Sequence, residues 1–429
     1  ADPKNNMTLI TGDQELNDGY MSGSPRAWRY NIYQKMWDYE TLTFNAPVPD
    51  CGWSDTYGAN YDHYFWTPWP NKNGVSGLTT TEASNQNVMN GLPETACAFY
   101  HPADGEALGQ VTFEGLVFSG FKTNAIYAVG QPQSTDPWES RLTVRNCRFL
   151  GCITGLAGVS GWAFAPVRVS DMPVTVADCE FNRCLNGVMI AGNSLMISNE
   201  VAFVVTNCTF EYCTPAGAAT VNISCRTHPT AAKSPLFLVT GCTFAHNYPL
   251  SYTSAGVAAQ ANGVVEKCVF RDHRTHDWGP NLVTFYGGDN NSAVNMLEVR
   301  DCRFENNVVD AAKNSGVCVG VYCSSRDATF SAMQNKMPII RNCSFIGNRI
   351  RLSNGSKAAD YAVIALQGGL HANQSSSSAM FFNCTVLSNA IEYVGNDATI
   401  LAHLAMFNGR HFLVNCVVKD SQFVSTSES

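Results

Sequence analysis

Leu142–Cys152 reads LTVRNCRFLGC; VTVADCEFNRC follows at residues 174–184 and FVVTNCTFEYC at 203–213. Each phrase carries an apolar residue three places before its first cysteine and a phenylalanine two places after it. Further along the chain the phrase returns as VTGCTF, VEKCVF, VRDCRF, IRNCSF, FFNCTV and LVNCVV, around Cys242, Cys268, Cys302, Cys343, Cys384 and Cys416. An earlier copy, FEGLVF, puts Leu116 in the cysteine's place. Ten copies therefore run from Val111 to Asp420, with the nine cysteines spaced by 32, 29, 34, 26, 34, 41, 41 and 32 residues.

The internal order of the phrase is physical. Residues two apart on an extended chain share a face, so Cys147 and Phe149, and their equivalents, point inward together. An offset of three, from Val144 to Cys147, breaks that parity, and a bend must lie between them. The residue at the bend is Gly115, Asn146, Asp178, Asn207, Gly241, Lys267, Asp301, Asn342, Asn383 or Asn415. Nine of these ten are Gly, Asn or Asp, the residues that enter the left-handed region most readily. A left-handed corner between two short strands, repeated along a chain, predicts an all-β, single-stranded parallel β-helix of about ten or more rungs. Its hand is right, following the preference of parallel crossovers. The Leu-x-x-Leu-x-Leu frame of leucine-rich repeats is absent.

Five residues after each cysteine stands a second marked position: Cys152, Cys184, Cys213, Asn247, His273, Asn307, Asn348, Asn389 and Ser421. It reads as the end of the strand that Cys and Phe begin. On that reading Cys-x4-Cys pairs (147/152, 179/184, 208/213, 318/323) place their members on opposite strand faces, a poor arrangement for a metal. The rest of each repeat supplies a third strand, such as Gly187–Ile190 or Tyr361–Leu366, and a variable loop. Loops such as Asp289–Ser292 and Asn373–Ser378 are expected to project from one side.

The seventeen cysteines are an odd number in a long chain, which fits no small disulfide scaffold. Stacked strands lie about 4.8 Å apart, within reach of a disulfide. Small buried thiols filling the corner beside a phenylalanine column are nevertheless the simpler use, and reduced thiols are expected. Only 14% of the residues are charged, against 45% apolar and 11% aromatic; this excludes intrinsic disorder. The formal charge of −8, without basic tracts, argues against nucleic acid, and no apolar run is long enough to span a bilayer.

Residues 1–105 lack the phrase and form a separate N-terminal, aromatic-rich cap or arm ahead of the solenoid at 106–429. Ser24-Pro25 followed by AWRYNIYQKMWDYE predicts a capped short helix. Open solenoids must cover their first coil, and a cap is the plainer role for this region. The aromatic Tyr57–Trp69 stretch also suits a binding loop or a subunit contact.

Catalytic chemistry was sought residue by residue. Arg271-Asp272-His273-Arg274-Thr275-His276-Asp277 combines acid, base and cation, as a lyase or hydrolase requires, with Asp289, Asp301 or Asp310 as partners in space. The plainer reading is a solvated loop after the Cys268–Phe270 strand, and no neighbouring rungs show paired outward aspartates. No nucleophile motif accompanies the serines and histidines. No catalytic, cofactor-binding or metal-ligating residue is assigned, and no cofactor is expected. Eight Asn-x-Ser/Thr sequons occur, at Asn6, Asn207, Asn222, Asn290, Asn342, Asn354, Asn373 and Asn383. Three of them (Asn207, Asn342, Asn383) are by-products of the corner phrase.

VTFEGLVFSGFKTNAIYAV, LTVRNCRFLGCITGL and VTVADCEFNRCLNGVMIAGNS together resemble the adenoviral β-helix family, which comprises the left-hand-end capsid protein of atadenoviruses and the related large early-region tumour antigen. The shared features are Gly120-Phe121, the Cys147–Cys152 and Cys179–Cys184 rungs, and Gly192–Ser194. The likeness covers about residues 110–215, while the N-terminal region does not match. The resemblance implies a non-enzymatic homotrimer on the outer capsid, packed between hexons and assembled in the host nucleus. Two alternatives stand beside it. One is a β-helix that binds or degrades polysaccharide, as a lyase, hydrolase or tailspike. The other is an extracellular microbial adhesin whose loops meet a carbohydrate or host receptor, with glycans at Asn354 or Asn373.

Overall fold

The computed structural model describes residues 8–11, 37–38, 43–44, 99–101, 107–119, 124–130, 139–150, 152, 165–182, 184, 186–192, 201–213, 215, 219–225, 236–247, 254–259, 261–277, 281–287, 297–311, 315–323, 338–353, 361–368, 379–395, 404–408 and 411–426. Among them every regular element is a strand. Successive coils pass through three long parallel sheets. Sheet 1 holds ten strands that precede the cysteine, from Gln110–Glu114 and Arg141–Arg145 to Met380–Phe382 and Phe412–Val414. Sheet 2 holds ten that follow it, including Leu116–Ser119, Arg148–Leu150 and Val417–Lys419, and an eleventh from the N-terminal region. Sheet 3 also has eleven, from Phe99–His101 and Ile126–Val129 to Leu404–Asn408. Two segments from the N-terminal region join these sheets: Thr8–Thr11 pairs parallel with Leu116–Ser119, and Phe99–His101 pairs with the Ile126 strand.

The expected first corner is present in every copy. All ten bend residues have positive φ, between 51° and 66°, including Lys267, the one residue without a conformational preference for it. Above the corner the chain runs in register, so that Phe149, Phe181 and Phe210 become direct neighbours across sheet 2. Eight phenylalanines, from Phe118 to Phe345, stack with ring centroids 4.7–4.9 Å apart and planes within 12° of one another. All eight are fully buried. Gly256, on sheet 3, has no room for a side chain: a Cβ there would lie 2.6 Å from the Phe270 ring and 2.3 Å from the Leu282 carbonyl.

A second left-handed corner follows sheet 2 and departs from the expectation. Tyr212, His246, Asp272, Asn306, Gly347, Ser388 and Asp420 have φ between 53° and 67°. The second marked position is therefore the first residue beyond a corner rather than the end of the strand. The reason the parity argument failed is that this bend resets it. Cys147 and Cys152 both point into the core, as do Cys179 and Cys184, and Cys208 and Cys213. The last five coils add a further short parallel sheet after this corner: Arg274–Asp277, Val308–Ala311, Arg349–Ser353, Ala390–Val394 and Gln422–Thr426.

Sheet 3 is buried on both faces along its middle rungs. Val188, Ile190, Val221 and Ile223 belong to the core, yet Met189, Asn222, Ala258 and Thr284 on the opposite face are buried as well. Two expectations fall outside the described residues: the loops at Asp289–Ser292 and Asn373–Ser378, and the aromatic stretch Tyr57–Trp69. The helix expected after Pro25 is not formed at its C-terminal end. Trp37–Asp38 instead pairs antiparallel with Thr43–Phe44. Aromatic residues favour an extended chain, as Trp37 and Phe44 show, while residues 24–36 lie outside the described residues.

Candidate functional site

Two kinds of polar structure are built on this scaffold, one inside and one outside. Inside, each corner cysteine is buried or half-buried, and its Sγ lies within hydrogen-bond reach of two carbonyls that share its single proton. Cys147 Sγ donates to Arg145 O (3.3 Å) in its own coil and to Phe113 O (3.6 Å) in the coil before. Cys179, Cys208, Cys242, Cys268, Cys302, Cys343, Cys384 and Cys416 repeat the arrangement. The thirteen cysteines whose side chains are described are free thiols, all buried except the half-buried Cys416. Burial pushes the thiols of Cys208 and Cys302 well up. At Cys242 and Cys343 hydrogen bonds from neighbouring thiols favour a thiolate, but adjacent thiolates in a dry column would repel, and we read the column as neutral.

The second marked position forms its own internal ladder. Cys152, Cys184 and Cys213 donate to the carbonyls of Phe118, Phe149 and Phe181. From Asn247 onward the amides take over: Asn307, Asn348 and Asn389 Nδ2 donate to Phe270, Phe304 and Phe345 O at 2.9–3.0 Å. Their Oδ1 atoms accept the backbone N–H of the coil before, as Asn348 N donates to Asn389 Oδ1 at 2.9 Å. The amides also bond one another, Asn307 to Asn348 (2.8 Å) and Asn348 to Asn389 (3.0 Å). One rung differs. His273 Nδ1 accepts Asn247 N–H at 3.0 Å, so its proton sits on Nε2, which is buried without a partner. Burial holds this imidazole neutral, with its pKa lowered to about 3.

The stretch 271–277 is thus a corner and a strand rather than a loop, and its residues diverge. Arg271 lies on the outer side of sheet 2, Asp272 at the second corner, His273 in the core ladder, and Arg274–Asp277 in the fourth sheet. Asp301 sits at the first corner, on the far side of sheet 2, where it accepts Asn342 Nδ2 (3.1 Å); it does not join the others. Asp310 is the backbone partner of His276, and Asp289 lies outside the described residues.

What gathers around Arg271 instead was not legible in the stretch itself. Its guanidinium pairs with Asp272 (2.9 Å) and Glu211 (3.7 Å) and lies 3.5 Å from His246 Nε2, while the His246 ring stacks on Tyr212 at 5.1 Å. Glu211 and His246 come from earlier coils, and only the rung register brings them here. Elsewhere on the outside, arginines meet carboxylates across rungs: Arg145–Glu114, Arg148–Glu180, Arg349–Glu392 and Arg351–Glu392, all within 3.1 Å. The most enclosed set is on sheet 1, where Arg300 binds Glu266 (2.5 Å) and Glu298 (3.5 Å), and Arg341 closes onto Glu298. Burial alone would raise the Glu266 carboxyl, but the Arg300 and Thr240 hydrogen bonds hold it below the usual range. No group of three or more His, Cys, Asp or Glu with metal-binding placement occurs among the described residues.

Three parallel sheets wound through paired left-handed corners, with stacked aromatic and amide ladders inside, define a parallel β-helix. The family model of the right handed beta helix region matches residues 73–423, and the chain belongs to that family. No curated protein and no solved structure matches it. Membership establishes the winding; the family's β-helices serve structural, polysaccharide-acting and adhesive roles alike.

Proposed function

We propose that this β-helix is a structural protein of a virion, a homotrimer on the outer capsid that packs between the major capsid subunits and stabilises them. The observation that carries the reading is the mutual pairing of outward charges. Arginines on sheets 1 and 2 are tied to carboxylates of their own or a neighbouring rung, which leaves long neutral flanks. Along the described rungs such a surface suits packing against protein better than gripping a charged polymer, since nine of the thirteen described Lys and Arg residues already pair with a carboxylate. The resemblance over residues 110–215 points the same way, and a column of neutral thiols accords with assembly in a reducing compartment.

A second reading draws on the Arg271, Asp272, His246 and Tyr212 group, which offers acid, cation and an aromatic ring on one surface, as a polysaccharide-acting β-helix would use. The two readings separate by incubation with acidic and neutral polysaccharides, followed by reducing-end and unsaturated-uronate assays. The structural role predicts no release above the rate with heat-denatured protein. Release that disappears in Arg271→Ala would replace it with the enzymatic one.

A further inference from the structure

We infer that the outer face of sheet 1 is where copies of this chain meet, an inference that rests on the oligomeric reading above. The three long sheets present very different outsides. Sheet 3 is already buried on its outer face along its middle rungs, at Met189, Asn222, Ala258 and Thr284, and carries Tyr127 and Arg168 half-buried at its start. Sheet 2 turns Arg148, Glu180, Glu211, Arg271, Arg303 and Glu305 outward over three-residue strands. Sheet 2 also shows one short apolar pair, Ile346 beside Leu387, but the longer apolar columns are on sheet 1. Val204, Leu238 and Val264 are successive neighbours on its outer side. Ile339, Met380 and Phe412 form a second column further along, with Phe382 and Val414 beside it. Ile339 is 36% exposed; Phe412 and Val414 lie on the last coil, where the inward-facing Leu413 is exposed to a similar degree, so their outward position rather than their exposure places them in this column.

Between the two apolar patches lies the Glu266–Arg300–Glu298–Arg341 set, whose charges are satisfied within the face itself. A charge that brings its own partner can enter an interface without being left uncompensated. Outward on this sheet stand three glutamates (114, 266, 298) and four arginines (141, 145, 300, 341), a nearly balanced set, although the chain carries −8. Identical copies of this face therefore do not repel, whereas the remaining surface holds the excess negative charge.

The area is also sufficient. Ten strands at about 4.8 Å, each of three to six residues at about 3.3 Å, give a face of roughly 700 Å² in plan. A stable interface requires on the order of 800 Å² of accessible surface per partner, and side-chain relief raises the accessible area above the plan area. The outward columns repeat at the rung spacing, and a surface with the same repeat is supplied by another copy of the same solenoid. Second copies are thus the occupant the face fits best.

Sedimentation equilibrium of the full chain, with two variants and a control, decides this. Met380→Glu places an unpaired charge in one apolar patch and Val204→Glu places one in the other. Each should raise the dissociation constant at least tenfold while the far-ultraviolet strand spectrum is retained. Thr385→Glu, on the outer side of sheet 2, should leave assembly unchanged. Having one variant in each patch means that a folding failure at either position leaves the other to decide. An oligomer that withstands both substitutions places the contact elsewhere and overturns this inference while leaving the capsid reading intact. A wild-type chain that is monomeric overturns the capsid reading itself.

Discussion

Asn348 shows how much rests on single side chains. Its amide donates to Phe304 O and to Asn389 Oδ1, and its carbonyl oxygen receives hydrogen bonds from the rung before. Replacing it with alanine strands buried donors and acceptors on two sides, and Asn348→Ala should lower stability by about 3 kcal/mol in urea unfolding. His273 interrupts the same ladder and introduces an acid sensitivity. Its folded pKa, about 3, lies below the exposed value of about 6.5. The unfolded chain therefore takes up a proton below pH 6.5 that the folded chain refuses until near pH 3. This contribution to stability is intact above pH ~6.5, falls steadily between ~6.5 and ~3, and is flat below; at pH 5 the loss is about 2 kcal/mol. His273→Asn should abolish that slope, because asparagine continues the ladder without titrating. An unchanged slope in the variant would assign the acid sensitivity to other groups.

At the scale of the element, the corners and the phenylalanine column explain what could be read from the chain in advance. The first corner was legible because Gly, Asn and Asp stand at nine of its ten positions and because the three-residue offset demanded a bend. The second corner was missed because three of its seven described occupants, Tyr212, His246 and Ser388, are not Gly, Asn or Asp, which dilutes the signature that Asp272, Asn306, Gly347 and Asp420 carry. The hydrogen bonds between rungs impose the left-handed backbone of those three instead, as where Tyr212 N–H donates to Ala245 O and Ser388 N–H to Lys419 O. Missing that corner led to the wrong facing for Cys152 and Cys184. The surroundings of Arg271 were hidden for a related reason: Glu211 and His246 lie tens of residues away, and their distance in space depends on loop lengths that set the register. Two substitutions test the element-level account. Phe210→Ala opens a gap in a dry stack and should cost about 3–5 kcal/mol. Asn207→Val forces a β-branched residue into the left-handed region and should cost about 1–2 kcal/mol, while Asn207→Gly stays near neutral. Equal effects of Val and Gly would show that the corner is not conformationally demanding.

Across the whole molecule, the low charge that first excluded other classes has a structural expression. Among the described residues, carboxylates and arginines pair with one another, largely between rungs, the interior is sealed by thiol and amide ladders, and one sheet face combines apolar columns with internally paired charges. The buried cysteines should resist modification accordingly. A thiol reagent applied to the folded chain should leave the twelve buried described thiols unreacted, and after denaturation without reductant most of the seventeen should react. A large deficit after denaturation would indicate disulfides and an oxidising compartment. The most direct test of the central claim, that this solenoid is an assembly-forming structural protein, is its native mass on dilution to nanomolar concentration. The account predicts a persistent species of three 46.6 kDa chains; a clean single-chain mass would contradict it.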